Sequence, residues 1–268
     1  MIAGLVKAEL LLRYWWFKNN KSFLAVSLLW PYVMVVTVLA LGLAYGSLEV
    51  YKARLGVVDP LVYLFSASAV AFTTVNVIDY TVSVATWHRW IGTLQYVSLA
   101  PVRLGVYVVV SGLASSLLSA GITWASVAPA IAILSGPEGL ARFAILALAV
   151  VAGMIPLVAI GCIAAMATLA LKEEGNVIGF LMPLLLLLSG VFYPVEVLPW
   201  VLRLMSNLTP SYYVVEASKI VNALNVEAGF KVYLVIYALA LLAVLYNLLG
   251  FYFAVWAESR VKSRGVIE

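Results

Sequence analysis

Six long apolar runs dominate the chain, separated by short segments rich in polar or helix-breaking residues. A helix needs about 20 apolar residues to cross the hydrocarbon core of a bilayer. Runs of that order extend from about Phe23 to Tyr45, Leu61 to Ala85, Leu104 to Leu134, Leu140 to Leu171, Val177 to Tyr193 and Val232 to Trp256, the fifth being the shortest. They do not alternate, which predicts helices and not the period-two strands of a membrane barrel. The pattern therefore predicts an all-α polytopic membrane protein forming one domain over residues 1–268.

The connections differ in kind. Gly46 to Pro60 and Lys172 to Asn176 read as solvated loops, and Ser135 to Gly139 as a tight turn of breaker residues. Residues 194–231 mix Pro194, Pro199 and Pro210 with Trp200, Tyr212 and Tyr213. Such a segment is too apolar for a free loop and too broken to span, which fits paired re-entrant half-helices sheltered by protein. Residues 1–22 read as an interfacial helix, with Tyr14, Trp15, Trp16 and Phe17 suited to the headgroup level. The alternative is a plain extension of the first span. The remaining interruption, residues 86–103, packs Trp87, His88, Arg89, Trp90 and Arg103 between two spans, and holds the only histidine and the only glutamine of the chain.

Composition settles the class. Of 268 residues, 65% are hydrophobic and 10% charged, with a mean hydropathy of +1.09, against about a quarter charged in soluble domains. The net charge of +4 comes with no basic run, so nucleic acid is not a partner. The single cysteine, Cys162, rules out a disulfide within the chain and reads as a small buried apolar residue. With both termini in the cytoplasm, Lys7, Arg13, Lys18, Lys21, Arg89, Arg103, Lys172, Arg260, Lys262 and Arg264 lie inside. Lys52, Arg54, Arg142, Arg203, Lys219 and Lys231 lie outside. That excess favours this orientation and puts residues 86–103 in the cytoplasm.

Little in the chain can perform chemistry. No Gly-Lys dipeptide exists to build a phosphate-binding loop, one histidine cannot make a His-pair metal site, and nothing marks a nucleophile elbow. Metal and cofactor are not expected, and the energy for transport comes from a partner or an ion gradient. Ser66, Ala69, Thr73, Asn76, Tyr80 and Ser83 share one face of the second span. Two readings of this stripe stand side by side: the wall of a translocation path, or helix packing within one subunit. Asp79, an ionisable residue within the same span, is a functional candidate by position. Gly112, Ser116 and Ala120 repeat a small-residue spacing, as do the pairs Gly42/Gly46 and Gly175/Gly179. Pro156 and Pro183 are expected to kink their spans.

Three motifs in this order resemble the permease subunits of ATP-binding-cassette exporters of the second type. Gly92-Thr93-Leu94-Gln95 followed by Ser98-Leu99-Ala100-Pro101-Val102 resembles a G-T-L-E … T-P-V element after the second span. Leu188 to Pro199 resembles an S-G-x-x-x-P … L-P stretch, and Leu208 to Ala217 an L-x-P-x-x-Y … E-A stretch. The likeness covers nearly the full chain. It implies an interfacial N-terminal helix, six spans, a cytoplasmic coupling helix and re-entrant half-helices. It implies a permease dimer working with separate ATPase subunits, which bind the ATP, in the plasma membrane. Carried onto this chain, coupling falls to His88, Arg89, Gly92, Thr93, Leu94 and Gln95. The path falls to Ser66, Thr73, Asn76, Asp79, Tyr80 and Ser83, and an outer gate to Tyr193, Pro194 and Glu196. Gln95 and Ala100 depart from the usual Glu and Thr, and tryptophans flank Arg89 where acids are usual, which implies a packed joint rather than an ionic one. The alternatives are a gradient-driven carrier or channel, for which paired intramembrane charges are lacking, and a membrane assembly scaffold.

Overall fold

The computed structural model describes residues 2–45, 57, 59–171, 176–191, 193–222 and 228–263. The expected loop residues 46–56, Lys172 to Gly175, Phe192 and residues 223–227 lie outside the described residues, as do Gly46 and Gly175 of the small-residue pairs. Every regular element among the described residues is helical. They are α1 (Ile2–Asn19), α2 (Lys21–Tyr45), α3 (Pro60–Trp90), α4 (Leu94–Leu99), α5 (Leu104–Leu171), α6 (Asn176–Ser189), α7 (Trp200–Ser206), α8 (Pro210–Asn222) and α9 (Ala228–Ser263), with a 3₁₀ turn at Val195–Val197. Segments Lys21–Ala40, Pro60–Trp90, Leu104–Ala170 and Val232–Arg260 are long and apolar enough to cross a membrane.

The longest element is a hairpin. Gly136 alone leaves helical geometry (φ 63°, ψ −156°) within the 68 residues of α5. Cys162 Sγ lies 3.8 Å from the Gly105 carbonyl, 57 residues away in sequence, a separation that a straight helix would stretch to about 86 Å. Trp124 and Phe143 stack with ring centroids 4.3 Å apart. Both pairs are symmetric about Ile133 and Leu134, so two antiparallel limbs share one register. The expected turn at Ser135 to Gly139 thus contracts to a single left-handed glycine. The chain stays helical through Pro156 and Pro183.

α3 is the axis of the bundle. Asp59 caps it, its Oδ1 accepting from the Leu61 and Val62 amides at 2.9 and 3.3 Å, and Pro60 occupies the first turn, where its missing N–H costs nothing. Most of α3 is buried, whereas α2 and α9 present mostly exposed apolar faces. Both limbs of α5 close on α3 at one residue. A Cβ on Gly112 would lie 2.5 Å from Thr81 Oγ1, and one on Gly161 would lie 2.8 Å from Thr81 Cβ. Thr81 is fully buried, and its hydroxyl donates back to the Val77 carbonyl at 2.6 Å. α2 joins the bundle through Tyr32 Oη donating to the Ser126 carbonyl and Ser126 Oγ donating to the Leu28 carbonyl, both at 2.6 Å.

The fifth expected span is corrected in length. α6 has 14 residues and stops at Ser189, about 21 Å of helix against a hydrocarbon core of about 30 Å. Gly190 ends it in the left-handed region at φ 68°, where a Cβ would also meet Val195 Cγ2 at 2.4 Å. Beyond it the short α7 stays exposed while α8 is embedded, with Ser211, Val214, Val215 and Ser218 buried. Gly153 of α5 lets Val214 approach; a Cβ there would come within 2.5 Å of Val214 Cγ2. Overpacking a tight core costs about 1–3 kcal/mol. Gly161→Val is therefore expected to lower the melting temperature of the detergent-purified protein, and adding Thr81→Ala is expected to restore part of the loss.

Candidate functional site

One end of the bundle gathers α1, the end of α3, α4, the start of α5 and the end of α9. α3 terminates there in a Schellman arrangement. Gly92 is left-handed at φ 70°, its amide donates to the Arg89 carbonyl at 3.2 Å, and the Thr93 amide donates to the His88 carbonyl at 2.9 Å. Gly92 turns the chain directly into α4, for which Thr93 is the N-cap residue.

Thr93 does not use its hydroxyl on α4; no side-chain cap bond forms. Its Oγ1 instead lies 2.8 Å from His88 Nδ1. His88 Nε2 lies 2.8 Å from Tyr107 Oη, and Tyr107 Oη donates to Glu9 Oε1 at 3.2 Å. The chemistry of the end groups sets the direction of this chain. A carboxylate only accepts, so Tyr107 gives its proton to Glu9 and must accept from His88 Nε2–H. Nδ1 is then the acceptor of neutral imidazole, and Thr93 donates to it. The Thr93–His88–Tyr107–Glu9 chain thereby ties α4 to α3, α5 and α1.

α4 carries two faces. Leu94 is buried at 4% exposure and anchors it. Around it Trp87, Trp90, Ile91, Tyr96 and Leu99 are 61%, 76%, 51%, 68% and 82% exposed. Gln95 is exposed, and Arg89 is half-buried. Apolar exposure of this density at the polar end of a helix bundle is a mark of an interaction surface. Of the six expected coupling residues, His88, Thr93 and Leu94 hold the element in place, Gly92 sets its turn, Gln95 is exposed, and Arg89 is half-buried with one guanidinium nitrogen inside the protein.

The stripe on α3 meets protein. Thr73 Oγ1 accepts from Trp124 Nε1 at 3.2 Å, and Asn76 Nδ2 donates to Ser119 Oγ at 3.0 Å. Ser66 and Tyr80 are also buried, whereas Asp79 and Ser83 are half-exposed and 3.5 Å apart through a hydrogen bond. Arg13 of α1 reaches this region, its Cζ 3.9 Å from the centroid of the Tyr80 ring. Burial pulls the Arg13 pKa down, opposed by Tyr80, Asp79 and Glu9. In the bundle Glu9 accepts from Tyr107, and Arg13 lies over the Tyr80 ring. Nothing in the spacing of Tyr107 marked its place between Glu9 and His88.

At the opposite end, Tyr193 Oη donates to the Leu187 carbonyl, closing the turn after α6, and Arg203 donates to the Glu196 carbonyl. Pro194 precedes the 3₁₀ turn and is half-buried, and the Glu196 side chain is exposed. Burial, then the carboxylates of Glu216 and Glu196, push the Tyr212 hydroxyl up to about 12, so this aromatic cluster stays uncharged at neutral pH. Among the described residues no group of His, Cys, Asp and Glu could hold a metal ion.

Removing one hydroxyl of the Thr93–Glu9 chain tests it. Tyr107→Phe is expected to cost about 1 kcal/mol and to raise amide exchange across residues 93–99 severalfold, measured by hydrogen–deuterium exchange. Tyr233→Phe, on an exposed position of α9, is the control expected to leave those amides unchanged.

In comparisons with known proteins, the sequence model of the ABC-2 type transporter family matches residues 11–223. No curated protein matches the chain at a significant level.

Proposed function

Because the chain belongs to the ABC-2 type transporter family, and is thus a multi-pass membrane permease of an ABC transporter, we propose that it is the transmembrane subunit of an ATP-driven exporter whose ATPase is a separate chain. The observation that carries this reading is the exposed apolar surface of Trp87, Trp90, Ile91, Tyr96 and Leu99 around α4, fastened to α3, α5 and α1 by the Thr93–His88–Tyr107–Glu9 chain. A surface so tied can pass movement of a docked partner into the bundle. ATP is bound and hydrolysed by that partner, and this chain supplies no catalytic group.

The functional parts follow the same reading. Residues 1–268 act as one permease domain, with 1–22 as an interfacial helix, 86–103 as the coupling element and 194–231 as the outer re-entrant segment. Counting each limb of α5, and α6 with the turn after it, gives six crossings of the plasma membrane. Lys7, Arg13, Arg89, Arg103 and Arg260 belong to the elements gathered at the α4 end, which supports cytoplasmic termini. Two copies form the path between them along the exposed faces of α2 and α6. In this reading the half-exposed Asp79 and Ser83 meet that path, with Ser66, Thr73, Asn76 and Tyr80 as the wall behind. Tyr193, Pro194 and Glu196 form the outer gate, braced by the backbone bonds of Tyr193 and Arg203.

Contact with the ATPase is by packing, with Arg89 as its charged member. Truncating a central aromatic anchor typically costs 2 kcal/mol or more, which is about thirtyfold in affinity. Trp90→Ala is therefore expected to weaken copurification of a nucleotide-binding partner by about this factor and to lower its stimulated ATPase activity, and Arg89→Glu to do the same without blocking membrane insertion. Stimulation unchanged in both variants would reject the docking surface. Transport that survives an inactive ATPase but collapses with a proton ionophore would favour a gradient-driven carrier.

A further inference from the structure

A second feature lies beside α4 and is independent of the ATPase reading. Where the two limbs of α5 meet α9, a cavity of about 220 Å³ opens toward the lipid-facing surface. Its floor is made of Gly105, Val106, Ala159, Cys162, Gly250 and Ala254. Small residues create it. α5 and α9 touch where a Cβ on Gly105 would come within 2.6 Å of Ala254 Cβ, and beside that contact the missing side chains leave the space unfilled. The cavity follows α9 from Asn247 to Glu258, about 16 Å of helix. Asn247, exposed at one end of the lining, turns its amide to the Ala243 carbonyl at 2.7 Å, and Val106, Val109, Ala159, Gly250 and Ala254 make the rest an apolar track. Phe251 and Val255, on its outer lip, are 58% and 43% exposed, so the track is open from the side where acyl chains lie.

The mouth is charged. Arg103 lines it and is exposed, with Cζ 5.8 Å from the Phe251 ring centroid. It directly precedes Leu104, the first residue of a span, while Glu258 lies near the end of the span that closes at Arg260. The rim therefore sits at the depth of lipid headgroups. An apolar track ending at a guanidinium at that depth matches an acyl chain joined to a phosphate, because guanidinium binds phosphate oxygens in a fork. We infer that this cavity is a binding site for a membrane glycerophospholipid of the leaflet on the α4 side, its phosphodiester on Arg103 and one acyl chain along Gly105, Val106 and Gly250.

Photocrosslinking tests the site. The full chain is placed in phosphatidylcholine nanodiscs with a trace of phosphatidylglycerol carrying a diazirine in its acyl chain, and adducts are mapped by mass spectrometry. Adducts are expected to concentrate on residues 105–109 and 250–255. Val106→Trp, and separately Val255→Trp on the exposed lip, are expected to lower them at least about fivefold, while adducts near Leu241 and Val244 on exposed α9 stay constant. Arg103→Gln is expected to lower phosphatidylglycerol adducts about fivefold, with adducts from a diazirine-bearing diacylglycerol unchanged. Millimolar inorganic phosphate is expected to displace nothing, since the acyl chain supplies the rest of the affinity. Adducts spread evenly over the lipid-facing surface, or insensitive to both tryptophans in folded protein, would overturn the site. Equal loss of both lipids in Arg103→Gln would overturn the phosphate contact. None of these readouts uses an ATPase, so their failure would leave the docking surface of α4 standing.

Discussion

Thr81 is the point on which the packing of this bundle turns. One buried side chain of α3 is gripped by a glycine from each limb of the α5 hairpin, Gly112 on one side and Gly161 on the other. In a bilayer the lipid tails are as apolar as leucine, so burying apolar surface does little to hold helices together. Close van der Waals contact and hydrogen bonds across helices do that work. Glycines let three helical backbones approach one residue, whose own hydroxyl is satisfied by the Val77 carbonyl, and further hydrogen bonds cross between α3 and α5. Trp124 reaches Thr73, and Asn76 reaches Ser119. The exposed leucines, valines and aromatics of α2 and α9 are then free to face lipid.

The consequence for function is rigidity with one prepared end. Since α3 is held against both limbs of α5, its terminus at Trp90 is fixed relative to the start of α5. The Thr93–His88–Tyr107–Glu9 chain extends that fixed frame to α4 and to α1. Each bond alone is modest, but together they cross-link four helices through side chains whose proton positions are set by one carboxylate. Leu94 adds the apolar anchor. What projects from this frame is a set of tryptophans, a tyrosine and aliphatic residues, with few charges among them. The apolar cavity lies along the same end, between α5 and α9, with Arg103 at its mouth.

Much of this was legible in the sequence. Length of apolar run is enough to find membrane-crossing helices because lipid leaves the backbone no other way to satisfy its hydrogen bonds. One breaker was equally readable: the expected turn at Ser135 to Gly139 holds Gly136, whose positive φ side-chain-bearing residues resist. The motifs around Gly92, Gly190 and Pro210 pointed to the family that the match over residues 11–223 bears out. The end of α6 was less legible, because the expected span runs on past it to Tyr193; only the turn at Gly190 and its contact with Val195 fix the stop.

Partnership between side chains was the part that the sequence withheld. The spacing of Ser66, Thr73, Asn76, Tyr80 and Ser83 determined that they share a face, since helical periodicity is a local property of the backbone. Which neighbour that face meets depends on how α5 folds back. Trp124 and Ser119 come from its first limb, and Arg13 from α1, far away along the chain. In the same way the composition of residues 86–103 determined an aromatic and basic element between two spans. Only the packed bundle brought Glu9 and Tyr107 to His88 and turned Leu94 inward with Trp90 outward. Backbone hydrogen bonding and lipid impose local rules that any stretch of sequence must obey. Contacts between distant side chains arise only once the helices have chosen their neighbours.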